Sequence, residues 1–200
     1  TAWAFAKAGR AAPALYDAIA AAAMGSLAAF TPQAFANLAW AYATAGRVAP
    51  ALFDALATEA AARVRTLNPQ GIANLAWAFA RAGHKAPRLF EVMAAEAVLQ
   101  IDDFNAQDLT NTAWAYAKMG HPAGTLFDAI AAAAPARVAE FNAQALANTV
   151  WAYATAAHPA PALFDEIAAA APARVGEARP QALANTAWAF AAADHLAPAL

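Results

Sequence analysis

Tryptophan recurs along this chain at a fixed interval, and that regularity constrains the fold more than any other feature. The six tryptophans are Trp3, Trp40, Trp77, Trp114, Trp151 and Trp188. Each lies 37 residues after the one before it (40 − 3, 77 − 40 and so on). A constant period in this range is typical of solenoid proteins, in which each repeat packs only on its neighbours. The sequence therefore predicts a repeat array rather than a globular domain with one core.

Each repeat reads as two helices, which we call A and B. Helix A begins after a capping residue, Thr31 in the second repeat, with Pro32 at the first helical position. It ends at Gly46, because glycine readily adopts the left-handed conformation that closes a helix. The equivalent caps are Asn68, Asn105 and Asn142, and the equivalent glycines are Gly9, Gly83 and Gly120. Ala157 and Asp194 replace the glycine in the last two copies, where we expect less favourable turns.

Helix B begins with proline in most copies, and a large apolar residue joins each repeat to the next. The prolines are Pro13, Pro50, Pro87, Pro161 and Pro198, and Gly124 replaces them once. Phe30 and Leu67 are joining residues, and Ala178 takes this place in the last unit. Since alanine fills less space than phenylalanine or leucine, we expect looser packing around Ala178.

These signals predict an all-α, right-handed α-solenoid of helix-turn-helix repeats over residues 1–200. The units fall at about 32–68, 69–105, 106–142 and 143–179, with partial units at 1–31 and 180–200. About five A-to-B hairpins are complete. Because Thr1 and Leu200 align with positions inside helices, we expect the chain to be a fragment of a longer array.

Composition and charge argue against several functional classes. The formal net charge is −2 with 13% charged residues, which is a low charge for a nucleic-acid-binding domain. There are no cysteines, so disulfides and thiolate metal sites are excluded. Glycine, proline and polar residues interrupt the apolar runs, so we expect no membrane span. No catalytic constellation or phosphate-binding loop is present, and we predict no enzyme activity, cofactor or small-molecule substrate.

Helical periodicity places a polar stripe on one face of helix A, opposite an apolar face formed by Phe35, Leu38 and Tyr42. The stripe contains Gln33, Gln70, Gln107, Gln144 and Gln181, then Asn37, Asn74, Asn111, Asn148 and Asn185. One turn further on, the residue varies between repeats as Lys7, Thr44, Arg81, Lys118, Thr155 and Ala192. Since amides both donate and accept hydrogen bonds, stacked repeats would present a ladder able to hold an extended polymer.

Each part of this stripe has a structural alternative. The asparagines could bond a neighbouring helix or loop, and the glutamines could cap the helix start. The periodic tryptophans, at the edge of the stripe, are expected to lie mainly in the core. Their alternative role is a platform on which bases stack.

The turn after helix A carries a second repeated set, Arg10, Arg47, His84, His121, His158 and His195. A cation at this place suits the negative end of the helix dipole, and an acid near the start of helix B suits the positive end. The acids are Asp17, Asp54, Glu91, Asp128 and Asp165. One histidine per repeat cannot chelate a metal, because neighbouring helices lie about 8–10 Å apart. The alternative is that these cations join Lys7, Arg81 and Lys118 as contacts to phosphate.

The run Ala106-Gln107-Asp108-Leu109-Thr110-Asn111-Thr112-Ala113-Trp114-Ala115-Tyr116-Ala117-Lys118-Met119-Gly120 resembles helix A of the octotricopeptide repeats and of the related heptatricopeptide repeats. The resemblance covers essentially the whole chain. It implies an α-solenoid that binds single-stranded RNA in an organelle, the chloroplast more than the mitochondrion, and acts in transcript processing, stability or translation. The alternative is a protein-binding scaffold or assembly subunit of a large organellar complex, which the near-neutral charge and the uniform repeats favour.

Overall fold

The computed structural model describes residues 2–47 and 49–195, and all regular elements in these ranges are helical. The A helices are α1 Ala2–Lys7, α3 Pro32–Thr44, α5 Pro69–Ala82, α7 Ala106–Met119, α9 Ala143–Thr155 and α11 Pro180–Ala192. The B helices are α2 Pro13–Met24, α4 Pro50–Ala62, α6 Pro87–Leu99, α8 Gly124–Ala133 and α10 Pro161–Ala170. Short 3₁₀ segments follow the B helices at Leu27–Ala29, Val64–Thr66, Ile101–Asp103, Pro135–Glu140 and Pro172–Glu177. In the described part of the chain no helix has both the length and the hydropathy to cross a membrane.

The chain divides into two compact units, residues 1–97 and 98–200. In the first unit α1 packs on α3, α3 packs on α5, and the B helix α2 packs on α4. In the second unit α7 packs on α9, α9 packs on α11, and α8 packs on α10. Helices of the same kind therefore stack side by side within each unit, which is the arrangement of an α-solenoid. The predicted all-α solenoid class is confirmed, while its handedness, the exact repeat period and the division into repeat units stay predictions.

The predicted helix starts are present as side-chain caps. Thr31 accepts a hydrogen bond from the Ala34 amide at 3.2 Å, and Asn68 accepts one from the Gly71 amide at 2.9 Å. Asn105 and Asn142 make the same bond at 2.9 Å. Asp108 completes a capping box at Asn105, where burial raises the pKa of its carboxyl group. Each cap satisfies an amide that the first helical turn leaves without a partner.

The turn after the A helix keeps a left-handed residue whether or not that residue is glycine. Gly46, Gly83 and Gly120 have φ between 60° and 67°. Ala157 and Asp194 adopt the same left-handed conformation, with φ of 49° and 51°. The turn geometry is therefore kept where glycine is replaced. Ala157 and Asp194 adopt a backbone conformation that their Cβ atoms make unfavourable.

In two A helices a buried tyrosine forms a hydrogen bond to the preceding B helix. The Tyr153 hydroxyl donates to the Phe127 carbonyl at 2.7 Å, and the Tyr42 hydroxyl donates to the Tyr16 carbonyl. Burial, and to a smaller degree the charge of Asp128, raises the pKa of Tyr153. The hydroxyl therefore keeps its proton and remains a donor.

Arginines near the ends of the B helices connect neighbouring repeats. Arg63 donates to the Phe30 carbonyl at 2.9 Å, and Arg174 donates to the Ala139 carbonyl at 2.9 Å. Arg137 donates in the same way to the Asp102 carbonyl. Each of the three bonds reaches back 33 or 35 residues, so these guanidinium groups act between repeats.

The joining residues differ in burial along the chain. Leu67, Phe104 and Phe141 are buried, whereas Phe30 and Ala178 are half-buried. Ala178 lines a cavity of about 380 Å³ together with Leu146, which belongs to the neighbouring A helix. The looser packing predicted around Ala178 is therefore present. Pro198, predicted to begin the next B helix, lies outside the described residues.

Candidate functional site

One face of each A helix from α3 to α11 is polar and accessible. In α3 it consists of Gln33, Asn37, Trp40 and Thr44, which are spaced by four, three and four residues and therefore lie on one side of the helix. The opposite side, with Phe35 and Tyr42, is buried. We call the residues equivalent to Gln33, Asn37, Trp40 and Thr44 in every repeat the A face. The two-faced helix predicted from periodicity is therefore present.

The amides of the A face differ in exposure along each helix. The glutamines are exposed, and they are Gln33, Gln70, Gln107, Gln144 and Gln181. The asparagines are half-buried, and they are Asn37, Asn74, Asn111, Asn148 and Asn185. In the described ranges none of these amides bonds a neighbouring repeat. Gln144 and Gln181 instead donate to Asn148 and Asn185 of their own helices, at 2.8 and 2.9 Å.

The tryptophans lie on the A face, and the prediction that they lie in the core is wrong. Trp3 and Trp188 are 44% and 49% exposed, and the other four are half-buried. In the first unit Trp40 lies between Trp3 and Trp77, with ring centroids 6.3 Å apart on both sides. The tryptophans lie on the A face because of their spacing. Trp40 comes three residues after Asn37 and four before Thr44, so it shares their side of the helix.

The last turn of helix A supplies the cations of the A face. Lys7, Arg81 and Lys118 are exposed, and the Lys7 ammonium lies 4.8 Å from the centre of the Trp3 ring. Thr155 is exposed as well. Thr44 is different, because its hydroxyl oxygen is buried without a hydrogen-bond partner. The accessible members of this variable position are therefore mainly basic.

A groove of about 330 Å³ lies between α7 and α9 on the A face of the second unit. Gln107 and Asn111 line it from α7, and Gln144 and Asn148 line it from α9. Glu140, which ends the 3₁₀ segment before α9, lines it too. The sequence predicted the amides but gave no reason to place Glu140 among them.

Four basic residues of the turn after helix A bond acids of the preceding repeat. Arg47 donates to Asp17 at 2.8 Å. His84, His158 and His195 bond Asp54, Asp128 and Asp165 through Nε2 at 2.8, 2.8 and 2.9 Å. These acids lie beyond the first turn of their B helices, so the predicted match to the helix dipole does not describe them. We call these four pairs the turn pairs.

Aromatic rings hold the histidines of the turn pairs in place. His158 lies 5.5 Å from Phe127 and 6.0 Å from Tyr153, measured between ring centroids. His84 and His195 each lie beside two phenylalanine rings, one from the B helix and one from the A helix before the turn. His121 contacts Tyr116 at 5.8 Å. The imidazoles are therefore part of the packing between helices. Arg10 is exposed, and phosphate contact by Arg10, Arg47, His84, His121 and His158 stays a prediction.

The fold and the A face together define a class, the α-solenoid proteins in which a polar pattern recurs from repeat to repeat. Within this class, the family model of the RNA-editing substrate-binding complex 6 proteins (RESC6) matches residues 2–200. The chain belongs to this family. No curated protein matches it.

Proposed function

We propose that this chain binds single-stranded RNA through its A face, as a subunit of an RNA-editing substrate-binding complex. The observation that carries the proposal is the recurrence of two accessible amides on each A helix from α3 to α11, without hydrogen bonds to a neighbouring repeat in the described residues and beside a half-buried or exposed tryptophan. The family name, which refers to RNA-editing substrate binding, supports it.

The residues of the A face match the requirements of single-strand binding. Side-chain amides can bond the edges of unpaired bases, which display both donors and acceptors. A half-exposed tryptophan ring offers a surface on which a base stacks, at about 1–3 kcal/mol per base. Arg81 and Lys118 would contact phosphates and orient the strand. The low net charge predicts that the amides and rings, more than the cations, supply the affinity.

The cellular setting of this role is part of the proposal. We place the chain in an organelle, in transcript processing, as a binding subunit without catalytic activity of its own. The family match gives no support to the chloroplast over the mitochondrion, nor to the specific assignment as an octotricopeptide repeat.

A salt titration of RNA binding tests the proposal. Fluorescence anisotropy with labelled oligouridine would be compared between the native chain and a variant with Asn74→Ala, Asn111→Ala and Asn148→Ala. We expect the variant to lose at least about tenfold in affinity, since three base-edge contacts are removed. The matched control is Thr58→Ala with Thr125→Ala, on exposed positions of the B helices. Absence of binding at low salt, or equal affinities of variant and native chain, would contradict the proposal.

A protein-binding scaffold is the second candidate, and the turn pairs favour it. They engage Arg47 and three of the four histidines within the fold, so this set of basic side chains is not available to phosphate, in a chain of net charge −2. Purification of the assembled complex with and without nuclease separates the candidates. Retention of the chain after complete RNA digestion, with no direct binding to oligouridine, would support the scaffold.

A further inference from the structure

The groove between α7 and α9 has the size and lining of a binding pocket for one planar polar group. Its volume of about 330 Å³ lies in the range of small-ligand sites. Gln107 and Asn111 face Gln144 and Asn148 across it. Both walls can therefore donate and accept hydrogen bonds, as the edge of a nucleobase requires.

Glu140 sets this groove apart from an amide-only surface. It is exposed, and in the described ranges it forms no ion pair with a lysine, arginine or histidine. A carboxylate free of a cation accepts hydrogen bonds through both oxygens and donates none. It also repels phosphate, so it does not serve to hold an RNA backbone.

The position of Glu140 varies between repeats, whereas the amides do not. The equivalent residues are Ala29, Thr66, Asp103, Glu140 and Glu177. In the first unit the Thr66 hydroxyl donates to the Arg63 carbonyl at 2.7 Å. A repeat protein that reads one base per repeat needs a variable residue beside a constant one, and this position supplies it.

We infer that the groove between α7 and α9 is a guanine-binding subsite and that Glu140 sets its base preference. Guanine is the base whose Watson–Crick edge presents two adjacent N–H donors, N1–H and the N2 amino group. A carboxylate accepts both at once, and the amides bond the remaining edges of the ring. This inference rests on the proposed RNA binding and adds the base that one repeat prefers.

Four single-stranded oligonucleotides of equal length test the inference. They are oligouridine and the alternating uridine–guanosine, uridine–adenosine and uridine–cytidine strands. We expect the native chain to bind the guanosine strand best. In Glu140→Gln the preference for guanosine over adenosine falls about tenfold, because one good bidentate contact to a base contributes about this discrimination. Oligouridine binding becomes equal or tighter, since a negative charge near the strand is removed.

Two further variants keep the test decisive. Glu166→Gln removes one negative charge from an exposed site on a B helix and leaves the guanosine preference unchanged. Thr66→Glu places a carboxylate at the equivalent position of the first unit and increases the preference. The inference is overturned if RNA binds but Glu140→Gln leaves the ratio of guanosine to adenosine affinity unchanged. If none of the four strands binds the native chain at low salt, the proposed function itself fails.

Discussion

The A face and the turn pairs both contain polar side chains that recur from repeat to repeat, but in the described residues only those of the turn pairs bond to a neighbouring repeat. In the turn pairs Arg47 and three histidines each bond an acid of the preceding repeat within 2.9 Å. On the A face the amides reach no neighbouring repeat in the described residues, and the tryptophans are half-buried or exposed. Periodicity alone therefore does not identify a binding site. Polar groups that the fold leaves without inter-repeat partners are the better indicator.

The largest expected difference between the two regions concerns stability. Phe127→Ala removes a buried ring that packs on His158 and Tyr153, and we expect it to lower the free energy of unfolding by about 3–5 kcal/mol. Trp151→Ala, on the A face of the same unit, should cost about 1 kcal/mol, because its ring is only half-buried. Urea unfolding followed by circular dichroism measures both. Equal decreases in the free energy of unfolding would contradict the prediction that the turn-pair region contributes more to stability than the A face.

In RNA binding we expect the larger effect from substitutions on the A face and the smaller one from substitutions in the turn pairs. Lys118→Ala or Arg81→Ala should reduce the slope of log affinity against log salt concentration by about 1, because one phosphate contact is lost. Arg47→Ala should leave the slope unchanged, since this guanidinium is already paired with Asp17. A reduced slope in Arg47→Ala would show that the turn pairs open to meet RNA.

The turns themselves provide a smaller test. Ala157 is left-handed with φ of 49°, so Ala157→Gly should raise the free energy of unfolding by about 0.5–1 kcal/mol. The neighbouring Ala156 has φ of −76°, and Ala156→Gly should lower it by a similar amount. Thermal unfolding of the two variants gives the sign of each change. A loss of stability in Ala157→Gly would show that the methyl group of Ala157 outweighs its backbone strain.

The smallest expected effect comes from breaking one turn pair. The Asp128 side chain is 73% exposed, so Asp128→Asn should cost about 0.5 kcal/mol or less, and high salt should remove most of the difference. RNA affinity should stay at the native value. A cost above that of Trp151→Ala would mean that the pair with His158 contributes more to stability than its exposure indicates.

The sequence predicted the caps and turns, which depend on one helix, and missed the turn pairs, which depend on how two repeats pack. Thr31 and Gly46 act within a few residues of their own positions, so their types are sufficient to predict the cap and the turn. The bond between His158 and Asp128 spans 30 residues, and its formation depends on how two repeats stack. A signal did exist, because an acid precedes each of these cations by a constant 30 residues.

Glu140 and the tryptophans show two other limits. The A-face position of Trp40 follows from its spacing to Asn37 and Thr44, but the usual burial of tryptophan outweighed that signal in the prediction. Glu140 lies in a 3₁₀ segment outside the A helix, and helical periodicity cannot assign it to a face. Only the packing of α7 beside α9 brings it to the groove.

The bonds that tie one repeat to the next have a consequence for how the chain folds. The tyrosine, turn-pair and arginine contacts reach back only 26, 30 and 33 or 35 residues. Every such contact forms as soon as one additional repeat length of chain is available, so the loops to be closed stay short. We expect each unit to fold from many alternative starting points rather than from one nucleus. An in-frame duplication of one repeat would then extend the array without requiring compensating changes elsewhere.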